Sequence, residues 1–183
     1  MKIQKILIFM VLFFAVYCIN DYKSERKKWA LQYRNQIQND FIGFNTIEDL
    51  LINFINDTLN NQDLNKYFLT DDEYLRIYWA NQPWEKIFDK GMTQENTTYL
   101  YNLFRSKNII KTRQLLEKIK IPDKIENIRI NIKKKEALEN NELIYFDSVY
   151  LISKIQKEIA LDLEGVVIKH NQKYKLIQIK PND

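Results

Sequence analysis

Apolar residues run unbroken from Ile6 to Tyr17, recur with a helical period through much of residues 46–119, and alternate with polar ones from residue 128 onward. The first run holds twelve residues and in a helix reaches only ~18 Å, against roughly 30 Å of bilayer hydrocarbon, so it is too short for a stable single span. Lys2 and Lys5 precede it and Cys18, Asn20 and Asp21 follow, which reads as the apolar region of an export signal. Residues 19–42 are mostly polar, lack glycine and proline, and carry Trp29, Leu31, Tyr33 and Ile37 without a clean stripe, as expected of a tether that is helical in part.

Thr46-Ile47-Glu48-Asp49 has capping-box spacing, and Ile47, Leu50, Leu51, Phe54, Ile55 and Leu59 continue it as an amphipathic helix. A second start stands at Thr70-Asp71-Asp72-Glu73, with acidic residues placed to favour the helix dipole and an end expected before Pro83. A third helical stretch begins near Thr93, with a break expected at Ser106–Asn108 before Ile109–Ile119. Past Pro122 the period becomes two: Ile128, Ile130 and Ile132, then the apolar segment Leu143–Ile155, then Ile159, Leu161 and Leu163. Asn140-Asn141 reads as a turn, Gly165 as a bulge or bend, and His170–Lys173 as the closing hairpin.

Helices followed by a meander of about four antiparallel strands predict an α+β domain over residues 43–183, with the N-terminal helices packed on one face of a curved sheet. This element order, over roughly residues 45–181, resembles the nuclear transport factor 2 superfamily, whose cystatin-like fold wraps a bent sheet around an N-terminal helix to form a cone. Gly165-Val166-Val167-Ile168 and Lys173-Tyr174-Lys175-Leu176-Ile177 are similar to the last two strands of many such domains. Phe68–Tyr74 followed by Trp79–Trp84 looks like uncharacterised bacterial envelope proteins of this fold.

The N-terminal segment resembles the signal of bacterial lipoproteins, in which the cysteine becomes the acylated first residue after cleavage. It departs from that pattern in having Ala15, Val16 and Tyr17 where the family has Leu, a small residue and Gly or Ala. The resemblance implies a lipid anchor at Cys18 and a place in the bacterial cell envelope; an uncleaved signal-anchor and simple secretion are the alternatives. Cys18 is the sole cysteine, which excludes an internal disulfide.

The formal net charge of the chain is +4, and Lys2 and Lys5 supply part of it, so nothing calls for nucleic acid. Lys133-Lys134-Lys135 is the richest basic cluster, but Glu136, Glu139 and Glu142 follow it and no aromatic residues interleave to stack bases. With three glycines in the chain, no phosphate loop is expected. The single histidine, His170, falls in a turn, and metal sites and proton relays need more convergent ligands than one histidine supplies. Asp71, Asp72 and Glu73 lack a calcium-loop pattern and serve helix initiation. No metal and no cofactor is expected.

Two sets of residues carry candidate chemistry. Tyr74, Tyr78, Trp79 and Trp84 stand where they line a pocket mouth or pack on the sheet. Asp147 sits between apolar runs, and on a regular strand it shares a face with Tyr145, Val149 and Leu151, an arrangement resembling the pocket Asp and Tyr groups of ketosteroid isomerase and scytalone dehydratase. The leading expectation is a membrane-tethered envelope protein that binds a small apolar ligand or an envelope protein without catalysis. The alternatives are an isomerase- or dehydratase-like enzyme using Asp147 and Tyr145, and a structural module that forms a homodimer through its sheet.

Overall fold

Thr46 caps helix α1 (Ile47–Leu59) by accepting the Asp49 N–H at 3.0 Å. Ile47, Leu50, Leu51, Phe54 and Ile55 then fall on one buried face, as residues three and four apart must. Thr58 takes the last buried position, because its hydroxyl donates to the Phe54 carbonyl at 2.6 Å and enters the core already satisfied, while Leu59 is left exposed. The computed structural model describes residues 24, 27–34, 41–83, 94–119, 121, 125, 127–139, 141–152 and 158–182. The proposed export segment with Cys18, and Trp84, lie outside them.

Thr70 opens helix α2 with a full capping box: its hydroxyl accepts the Glu73 N–H, and the Glu73 carboxylate accepts the Thr70 N–H at 2.8 Å. The helix runs as α over Asp71–Glu73, widens to π over Tyr74–Tyr78 and tightens to 3-10 over Trp79–Asn81. Gln82 is extended before Pro83, which matches the restriction that proline places on its predecessor. Helix α3 (Gln94–Lys118) is continuous through the expected break at Ser106–Asn108. No glycine or proline interrupts it, and Ile109, Leu115 and Leu116 pack its second half onto the core shared with α1, so tertiary burial carries the helix through a locally polar stretch. Residues 27–34 are also helical and dock on the end of α2, with Trp29 4.4 Å from Trp79 between ring centres and Arg34 donating to the Ala80 carbonyl at 2.9 Å.

Strands β1 (Asn127–Leu138), β2 (Asn141–Ile152), β3 (Glu158–Leu161), β4 (Leu163–His170) and β5 (Lys173–Pro181) form one curved antiparallel sheet, so the fold is α+β. β2 is central: it pairs with β1 along one side and with β3 and β4 in succession along the other, and β5 closes the far side of β4. β3 and β4 therefore follow one path, interrupted at Asp162. The last hairpin turns at Asn171 and Gln172, with φ of 48° and 61°, the left-handed pair that matches the twist of the flanking strands.

Leu143 and Ile144, Val167 and Ile168, and Leu176 and Ile177 are neighbours in sequence but pack into different clusters. Because strand neighbours point to opposite faces, the sheet is covered on both faces at this end rather than on one. α1 and the second half of α3 cover the first face; α2 and Tyr101 of α3 cover the other.

Gly165 permits a close approach, and the irregularity expected at it falls next to it, between Val166 and Val167 in the pairing of β4 with β5. A Cβ on Gly165 would stand 2.5 Å from Cζ of Phe146 and 2.6 Å from the Gln178 carbonyl, and the second of these is backbone that cannot swing aside. Gly165→Ala is expected to destabilise the fold by roughly 1–3 kcal/mol, read as a lower melting temperature; an unchanged melt would show that β4 and β5 separate at no cost.

On α1, Asp57 accepts the Tyr67 hydroxyl at 2.5 Å and pairs with Lys66 at 2.7 Å. Lys66, then Tyr67, hold its carboxyl below the usual carboxylate range. A depressed folded-state pKa contributes stability that is complete above the unfolded value of about 3.9 and is lost as pH falls through the folded value. The stability difference between the wild type and Asp57→Asn should therefore be constant above pH ~4 and shrink below it. A gap that stays constant into acid would remove Asp57 as its source.

Candidate functional site

The π turn of α2 places Tyr74 and Tyr78 side by side, with ring centres 5.2 Å apart. A widened turn disturbs the carbonyl ladder, and here side chains repair it: Asn81 donates to the Arg76 and Ile77 carbonyls at 2.8 and 2.9 Å, and Asn141 of β2 donates to Ile77 at 3.0 Å. From α3, Tyr101 stacks on Tyr74 at 4.0 Å and 14°, and its hydroxyl donates to the Leu69 carbonyl at 2.9 Å. Arg105 donates to the same carbonyl at 3.2 Å and lies 5.3 Å from the centre of the Tyr101 ring.

These contacts frame a cavity of about 600 Å³ between α2, α3 and β5, a size within the usual range of small-molecule sites. Tyr74, Tyr78, Trp79 and Gln82 line it from α2 and its C-terminal end. The α3 wall carries Thr97, Leu100, Tyr101, Phe104, Lys107 and Lys111, and the β5 wall carries Ile177, Gln178, Ile179 and Lys180. Lys180 is paired with Glu164 at 2.7 Å.

Burial pushes the phenols of Tyr74, Tyr78 and Tyr101 above their ordinary range. They are neutral hydrogen-bonding groups at physiological pH and poor general bases. The described lining holds cationic, aromatic and amide side chains but neither a carboxylate nor an imidazole.

Tyr145 and Asp147 lie elsewhere. In the pairing of β1 with β2, Ile132 faces Phe146 and Asn131 faces Ser148, so a bulge at Asp147 changes the phase of β2. Ile144 and Phe146 enter the α1 core before the bulge, whereas Val149 and Leu151 enter it after, and Tyr145 packs on the other face. The shared face expected of a regular strand does not form. Asp147 is partly buried, with Asn131 donating to its carboxylate at 2.7 Å and Asn182 donating to its carbonyl at 2.8 Å.

Tyr145 lines a second depression of about 470 Å³ with Lys133, Lys134, Glu164 and Gln178. Burial, then the Glu136 carboxylate, pushes its phenol up to about 12, and its hydroxyl donates to Glu136 at 3.2 Å.

The other singled-out polar residues have structural partners. Asp71 accepts from Asn102 at 2.8 Å, Asp72 pairs with Arg76 at 2.6 Å, and Glu73 pairs with Lys175. His170 Nδ1 lies 2.5 Å from Asn141 Oδ1, and its ring meets Phe41 edge-on. Among the described residues, no group of three or more His, Cys, Asp and Glu side chains is placed to hold a metal ion.

The α3 and β5 walls were not anticipated from sequence. A signal was present in α3: Leu100, Phe104, Lys107 and Lys111 are spaced by four, three and four residues, which puts them along one helix face. That stripe carries too few apolar residues to look like a core-facing side.

No protein-family model and no curated protein matches the chain. Among solved structures it is similar to a designed protein of the nuclear transport factor 2-like type, at 12% identity and a TM-score of 0.27, over 72% of this chain and 93% of that one.

Proposed function

We propose that this protein is exported, lipid-anchored through Cys18 on a bacterial envelope membrane, and uses its α+β domain to bind a small, largely apolar ligand without transforming it. The cavity between α2, α3 and β5 carries this reading: its walls combine an aromatic cluster with amide, hydroxyl and cationic side chains, an apolar surface with polar groups to fix orientation as small-molecule sites have. The element order resembling the nuclear transport factor 2 superfamily supports a pocket-forming domain. The short apolar run ending at Cys18 supports export and anchoring, and no described helix is long and apolar enough to cross a membrane. Acyl chains, each adding ~0.8 kcal/mol per buried methylene, supply attachment without a spanning helix.

Native mass spectra of the full chain, purified from a bacterial envelope and released from a non-ionic detergent, test the binding role. A defined added mass is expected, with occupancy reduced about 3–10-fold in Tyr78→Ala, which removes one wall of the aromatic cluster. A ligand-free spectrum under gentle release and after exposure to envelope extract would overturn it. Metabolic acyl labelling tests the anchor: incorporation should vanish in Cys18→Ala, and labelling that persists there would eliminate the site.

A further inference from the structure

The α3 wall of the cavity is graded along its length. Leu100, Tyr101 and Phe104 give way to Arg105, Lys107 and Lys111 on the same side of the helix, and seven residues from Leu100 to Lys107 rise ~10 Å. Lys180 adds a fourth cation from β5. Four cations and no carboxylate therefore line the described cavity wall. Arg105 also donates to the Leu69 carbonyl and lies against the Tyr101 ring, Lys180 pairs with Glu164, and Lys107 and Lys111, farther along the α3 wall, are exposed. On the opposite wall Gln82 is buried and its Nε2 has no hydrogen-bond partner among the described residues.

From this grading we infer that the ligand is an amphipathic anion, with an acyl or aryl body against the Tyr74, Tyr78, Tyr101 and Phe104 rings and a carboxylate head held by Lys107 and Lys111. The inference rests on the binding role proposed above and adds the chemical class. A wholly apolar ligand would gain nothing from these cations, and a cationic one would meet charges of its own sign. Low-dielectric walls concentrate the field of one-signed charges at a cleft mouth, which draws an anion in head-last or holds it there once seated.

Equilibrium dialysis of decanoate, decanol and decyltrimethylammonium against the full chain in phosphatidylcholine nanodiscs reads the class, with empty nanodiscs subtracting bilayer uptake. Decanoate should bind at least about ten-fold more tightly than decanol, as a hydrogen bond to a charged group provides, and decyltrimethylammonium should bind weakest. Lys107→Gln with Lys111→Gln should bring the decanoate-to-decanol ratio near one. Lys118→Gln with Lys135→Gln, which removes the same charge outside the cavity lining, should leave the ratio unchanged. Leu100→Trp, checked by circular dichroism for an intact fold, should abolish saturable binding by filling the cavity.

Equal binding of decanoate and decanol would overturn the anionic class while leaving a binding site. An equal loss in the Lys118 and Lys135 variant, or full binding in Leu100→Trp, would place the anion outside the cavity and overturn the inference. Failure of all three probes to bind saturably would count against the binding role itself, and the inference would fall with it.

Discussion

Lys175→Met is expected to destabilise the domain by about 3–5 kcal/mol, the loss typical when one partner of a buried ion pair is removed. The Lys175 ammonium donates to both Glu73 oxygens at 2.8 Å, and the two side chains are only 7% and 11% exposed. Glu73 also closes the capping box at the start of α2, so the same carboxylate starts a helix and fastens it to β5. Without the ammonium, Glu73 is left as a buried charge with one backbone donor. Adding Glu73→Gln to Lys175→Met removes that charge and keeps an acceptor for the cap, so the double variant should regain a large share of the loss. Urea unfolding of both variants measures this, and equal midpoints for single and double would show that the unpaired charge is not the source of the instability.

Phe54→Ala should cost a comparable amount, about 3–5 kcal/mol, through lost apolar burial and the cavity left behind. Phe54 is fully buried on α1, and its ring meets Tyr67 at 5.6 Å and Phe68 at 5.9 Å, both edge-on. It thus links the helix to the segment that leads into α2. At ~2–4 °C per kcal/mol for a chain of this size, the melting temperature should fall by roughly 6–20 °C. Phe54→Leu, which keeps most of the volume, should lose much less. Equal melts for Ala and Leu would mean that the core collapses into the space and that the aromatic contacts contribute little.

These sites differ in how far the sequence exposes them. The α1 face is written in its apolar spacing, which marks Phe54 as a core residue. Lys175 reads as a polar position in a strand, and its pairing with Glu73 spans 102 residues of sequence. No local pattern encodes a contact that exists only when α2 is laid on β5.

The candidate site divides in the same way. Tyr74, Tyr78 and Trp79 stand out in the sequence as large aromatic residues clustered near the end of a helix, and they line the cavity beside Tyr101. Nothing in the local sequence singles out Arg105, Lys107 and Lys111, since which face of α3 meets a cavity depends on how the helix is rotated against β5. Asp147 shows the converse. Its apolar flanks suggested a dry strand face, but a single bulge reversed the phase of β2 and set Asp147 with Asn131.

What the sequence by itself determined is local: the capped start of α1, the start of α2 and its stop before Pro83, the change from a helical to an alternating period, and the final hairpin. Each follows from steric and hydrogen-bonding rules acting over a few neighbours. Only the tertiary structure decided the continuity of α3, the π turn in α2, the bulge at Asp147, the coverage of both sheet faces and the cavity. Those depend on burial and pairing between segments far apart in the chain, where packing outweighs the few tenths of a kcal/mol per residue that local propensity supplies.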